Sequence, residues 1–84
     1  MSTEQKSIGE IARSIISEII DNPDKLNIEE KTGRKSVIIG ISSSEKEVIS
    51  QIIGRNGHTI IAIKKILERV ANKRGVRCTI YVVD

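Results

Sequence analysis

Aromatic side chains are almost missing from this sequence. Its 84 residues include one tyrosine, Tyr81, and no phenylalanine or tryptophan. A core built from this chain must therefore be aliphatic, and isoleucine supplies most of it. The exposed aromatic rows on which RRM-type sheets stack bases are excluded as well. Cysteine is equally scarce. Cys78 stands alone, so no internal disulfide can form and no second thiol suggests a metal site. A reducing compartment, the cytoplasm, is the expected setting. No apolar run reaches 18 residues, so no membrane span is expected. The N-terminus is polar and lacks an apolar signal region.

What remains is 38% apolar and 30% charged, the composition of one small globular domain. The net charge of +3 is unevenly placed. Residues 1–53 carry seven Lys/Arg against nine Asp/Glu, a net of −2, whereas residues 54–84 carry seven against two, a net of +5. Positive charge begins at a glycine turn, and an anionic partner near that turn is the simple reading. A solvated basic helix face is the bland one.

The periodicity of Ile8, Ile11, Ala12, Ile15, Ile16, Ile19 and Ile20 predicts an amphipathic helix. Ser2 with Gln5 and Ser7 with Glu10 both have capping-box spacing for its start, and Asp21-Asn22-Pro23 should end it. Leu26 to Glu29 alternates as a short strand, Lys31 to Arg34 reads as a turn, and Lys35 to Ser42 holds the β-branched run Val37-Ile38-Ile39-Gly40-Ile41. Val37, Ile39 and Ile41 share one face of that strand. Ser44 with Glu47 offers a third capping box for a short helix carrying Val48, Ile49, Ile52 and Ile53 and stopping at Gly54. A further helix runs from about Gly57 to Lys73. Ile60, Ile63, Ile66, Leu67, Val70 and Ala71 form its core arc, and Lys65, Arg69 and Lys73 a basic stripe. Gly75 stops it. A last strand spans Val76 to Val83. The order α-β-β-α-α-β predicts an α+β fold. Its three-stranded mixed sheet has three helices on one face, because a two-helix crossover lets the second and third strands pair in parallel.

The stretch between the last two helices carries the function. Ile53-Gly54-Arg55-Asn56-Gly57-His58-Thr59-Ile60-Ile61-Ala62-Ile63 resembles the KH-domain signature I-G-x-x-G-x-x-I-x-x-I and meets every fixed position. The element order matches the type II KH arrangement over essentially residues 1–84, with the GxxG loop at 54–57. Small size and a single KH domain are similar to the KhpA family of bacterial RNA-binding proteins, as is Asp21-Asn22-Pro23-Asp24. The resemblance implies a clamp on about four single-stranded nucleotides, in an RNA chaperone or post-transcriptional regulator without enzymatic activity or cofactor. It also implies pairing as a homodimer, or with a larger KH-domain RNA-binding protein.

The residues agree. Gly54 and Gly57 leave room for a sugar–phosphate backbone, and the helix starting after them has N–H groups without partners inside it. Arg55 brings a forked cationic donor and Asn56 a neutral one that tolerates turn geometry. Bases would lie on an aliphatic groove of Ile53, Ile60 and the edge of the Val37–Ile41 strand, with Lys65, Arg69 and Lys73 adding attraction that salt weakens. His58 could face phosphate, base or solvent. Ile61 lies outside the core arc and is the candidate dimer contact. RNA and single-stranded DNA both fit. The competing reading is a protein–protein adaptor whose KH fold mainly dimerises. Cys78 and His58 form no catalytic arrangement, since no third orienting group accompanies them, and the turn lacks the spacing of a P-loop.

Overall fold

Helix α1 (Ile8–Ser17) opens on a reciprocal cap. The Glu10 N–H donates to Ser7 Oγ at 3.1 Å, and the Ser7 N–H donates to Glu10 Oε1 at 2.8 Å. Two of the four orphan donors of a helix start are thereby satisfied. The structure is a computed structural model and describes residues 6–83, so the Ser2–Gln5 alternative lies outside the described residues. The helix ends at Ser17, before the expected stop at Asp21-Asn22-Pro23. Its last turn tightens to i−3 bonding, Glu18 N–H to the Ile15 carbonyl and Ile19 N–H to that of Ile16. Ile20 is buried in step with Ile8, Ala12 and Ile16, and Ile19 is exposed. The corner is pinned from α2, where Gln51 accepts from the Asp21 N–H at 2.9 Å and donates to its carboxylate at 2.8 Å.

A 3-10 turn at Pro23–Lys25 leads into β1 (Asn27–Thr32), which is longer than the sequence suggests and starts after Leu26. Leu26 is buried in the core at the end of the turn. β2 (Ser36–Ser42) pairs antiparallel with β1, and β3 (Arg77–Val82) pairs with β2 in parallel, giving the order β1-β2-β3. Val37, Ile39 and Ile41 point together into the core, as their alternation requires. On the opposite face Tyr81 lies across Gly40 on the neighbouring strand. A Cβ at Gly40 would come within 2.8 Å of the ring carbon that carries the hydroxyl.

Helix α2 (Lys46–Ile53) begins without the Ser44–Glu47 box. Ser43 Oγ accepts from the Glu45 N–H at 3.0 Å, a local turn that places the helix start one residue later and leaves its N-cap, Glu45, without a side-chain cap. Helix α3 (His58–Lys73) follows the glycine turn. The three α-helices cover one face of the sheet, and fifteen apolar residues from helices, strands and connections form one buried cluster. Ile63, Leu67 and Ala71 are the buried stripe of α3, with Ile60 and Val70 packed at its margins. Ile66 is 50% exposed and is not a core residue. It lies about 100° from Leu67 around the helix axis, and the neighbouring elements do not cover it.

Candidate nucleic-acid interface

Ile53 is the last residue of α2, half-buried and packed against the core, so the loop that follows starts from a fixed point. Gly54 has φ 78° and ψ 174°, a combination open almost only to glycine. The reason lies five residues on. A Cβ at Gly54 would sit 2.6 Å from the Thr59 Cβ and 3.0 Å from the Thr59 backbone nitrogen. Thr59 occupies a free position of the signature, and nothing in the sequence pattern marks it as the residue that makes Gly54 necessary. Arg55–Gly57 form a tight turn closed by i+3 hydrogen bonds, with Asn56 at φ 57° and Gly57 at φ 75°, both left-handed. A Cβ at Gly57 would meet nothing within 4 Å, so the space beside it is open to a ligand.

The side chains of Arg55, Asn56 and His58 are exposed, and Ile60 is half-buried. The loop therefore displays one cation, one amide and one imidazole above an aliphatic floor of Ile53 and Ile60. Its backbone donors are less free than the sequence suggests. The Gly57 N–H donates to the Gly54 carbonyl at 3.1 Å and the His58 N–H to that of Arg55. These two bonds engage both groups and remove them from phosphate binding.

A second expectation is corrected by the strand order. The Val37–Ile41 strand is central, paired on both sides, so it has no edge to offer a base. The free edge on that side of the sheet belongs to β3. The basic stripe also divides. Lys65 is exposed about two turns from the loop, whereas Lys73 lies with Ile11, Val70 and Arg74 on the side of α3 that faces α1. Ile61 is 48% exposed, outside the core stripe. Cys78 is half-buried. Burial pushes its thiol above the usual range, and the Glu68 and Glu30 carboxylates push it further. It stays protonated at neutral pH and is unsuited to nucleophilic chemistry. Among the described residues no cluster of three His, Cys, Asp or Glu could hold a metal, and no helix is long and apolar enough to cross a membrane.

The family model for the KhpA/KhpB KH domain matches residues 9–82. The chain belongs to that family. The matched span runs from the second residue of α1 to the end of β3 and takes in the Gly54–Gly57 turn between α2 and α3, and the family is not one of enzymes. An RNA-binding protein KhpA from Chlamydia pneumoniae is 33% identical over 70 residues, which cover 83% of this chain and 88% of the relative. One from Caldanaerobacter subterraneus is 26% identical over 76 residues, covering 90% and 100%. One from Aquifex aeolicus is 27% identical over 78 residues, covering 93% and 98%. In this KH domain the signature isoleucines have separable tasks. Ile63 is buried and fixes the helix to the core, while Ile60 remains half open beside the glycine turn.

Proposed function

We propose that this protein is a cytoplasmic single-stranded RNA-binding protein, built as one KH domain, that clamps about four nucleotides at Gly54–Gly57. It acts as an RNA chaperone or post-transcriptional regulator. The observation that carries the reading is the loop itself. It is a left-handed turn with open space at Gly57 and with Arg55 and Asn56 exposed on it. The names of the relatives, each an RNA-binding protein KhpA, support RNA as the ligand. In this reading Arg55 pairs with a phosphate, Asn56 and His58 donate to backbone or base, bases rest on Ile53 and Ile60, and Lys65 adds long-range attraction.

Replacing Arg55 and Asn56 together by Asp tests it. A hydrogen bond to a charged group contributes roughly 1.5–3 kcal/mol, so RNA affinity should fall about ten- to a hundredfold in fluorescence anisotropy, with the circular dichroism spectrum unchanged. Equal affinity of variant and parent would remove the loop from the interface. A parent protein that retains no RNA in crosslinking from cells would favour the adaptor reading.

A clamp of four nucleotides without an aromatic grip gives limited affinity, and a second copy of the domain supplies the rest. Ile61 is the proposed contact, in a homodimer or with a larger KH-domain protein, because it is a half-exposed isoleucine on the outer side of α3. Ile61→Asp should convert a dimer to a monomer in light scattering. An unaltered protein with the mass of a monomer would overturn the contact.

A further inference from the structure

At the far end of α3 from the glycine turn lies an open basin of about 820 Å³. Parallel pairing builds it. Because β2 and β3 run the same way, their first residues lie side by side, Ser36 opposite Arg77, and the Arg77 N–H donates to the Lys35 carbonyl at 2.9 Å. The hairpin turn before β2 thereby brings Arg34 and Lys35 beside Arg77 at the end of the sheet where β2 and β3 begin. All three are exposed, and all three line the basin together with Glu68 and Asn72 of α3. Among the described residues Glu68 is the only carboxylate in the lining. Sequence separation hides this cluster, since Arg34 and Lys35 belong to the acidic part of the chain.

The edge of α3 that lies between loop and basin winds about 120° round the helix from Ile60 to Asn72. Ile60, Lys64, Glu68 and Asn72 are spaced four apart and so follow one another down the helix. The row begins beside the glycine turn at Ile60 and ends in the wall of the basin at Glu68 and Asn72. The 16 residues of α3 extend about 24 Å.

We infer that a single-stranded RNA longer than the four clamped nucleotides continues along this edge, and that Arg34, Lys35 and Arg77 hold its following phosphates in the basin. The inference rests on the proposed RNA clamp. Three cations around one open concavity suit a polyanion, and Glu68 is the group that opposes it.

Fluorescence anisotropy on the full chain tests this with labelled, degenerate-sequence RNAs of four and ten nucleotides over a salt series. The unaltered protein should bind the ten-mer more tightly. The combined Arg34→Gln, Lys35→Gln and Arg77→Gln variant should lose that advantage and keep its affinity for the four-mer. Its log–log salt slope for the ten-mer should fall by roughly two, at about 0.7 per phosphate contact on a single strand. Glu68→Gln should tighten the ten-mer alone. All four side chains are on the surface, and circular dichroism checks that the variants fold. A triple variant that keeps the ten-mer advantage, or that loses both RNAs equally, overturns the basin while the clamp stands. An unaltered protein that binds neither length overturns both.

Discussion

Gly54→Ala is expected to destabilise the domain by about 2–4 kcal/mol, far more than Gly57→Ala. Two independent penalties meet at Gly54. The backbone at φ 78° and ψ 174° lies in a region that costs a residue with a Cβ roughly 1–3 kcal/mol. The new methyl would also have to displace Thr59, whose Cβ and backbone nitrogen lie 2.6 and 3.0 Å away. The nitrogen belongs to the first turn of α3 and cannot swing aside as a side chain would, and overpacking of this kind costs roughly 1–3 kcal/mol. Gly57 has the left-handed backbone but open space around it, so only the conformational cost of about 1–2 kcal/mol remains. In a domain of this size each kcal/mol moves Tm by about 4–8 °C. Thermal unfolding followed by circular dichroism should therefore separate the variants. Equal Tm values would mean that Thr59 moves freely and that Gly54 is not sterically required.

The same contrast divides the loop's two roles. Gly54 is the structural glycine, filled on its far side by the domain's own side chain. Gly57 is the glycine whose vacant side faces solvent, where a ligand backbone can approach. RNA affinity should thus respond to bulk at Gly57 more than its small effect on stability suggests, because a methyl there occupies ligand space and little else.

Most of the fold is legible in the sequence because isoleucine periodicity carries it. Ile8, Ala12, Ile16 and Ile20 on the helix side, and Val37, Ile39 and Ile41 on the strand side, are all buried as their spacing demands. The glycine turn lies between α2 and α3 where the signature puts it, and the parallel pairing of β2 with β3 follows from the two-helix crossover. What the sequence misses depends on tertiary neighbours. Ser43 and Ser44 have equivalent chemistry, and only the local backbone decides that Ser43 accepts the Glu45 N–H. Whether β2 has a free edge is a property of the sheet, not of Val37–Ile41. The cluster of Arg34, Lys35 and Arg77 joins residues more than forty positions apart. At the loop itself, the residue types are legible, but the engagement of the Gly57 and His58 N–H groups inside the tight turn is not. In the proposed RNA clamp, side chains, chiefly that of Arg55, would therefore supply more of the phosphate contact than a bare helix start would suggest.

Leu67→Ala and Ile66→Ala, on adjacent residues of α3, should differ by several kcal/mol. Apolar character alone puts both on the core arc, yet Leu67 is fully buried and Ile66 is half exposed. Leu67 lies in the buried stripe between Ile63 and Ala71, within the cluster that also holds Ile39 and Ile41. Truncating it removes transfer free energy and leaves a cavity that close packing cannot fully collapse, a loss of about 2–5 kcal/mol. Chemical denaturation should show the lower midpoint with an unchanged slope. Ile66→Ala removes side-chain atoms of which half already face water, and surface changes of this kind stay within about 0.5 kcal/mol. A large loss at Ile66 in the isolated chain would mean that a second copy covers it in solution. That result would move the proposed homodimer contact from Ile61 to the other flank of α3, because the two isoleucines point about 140° apart around the helix.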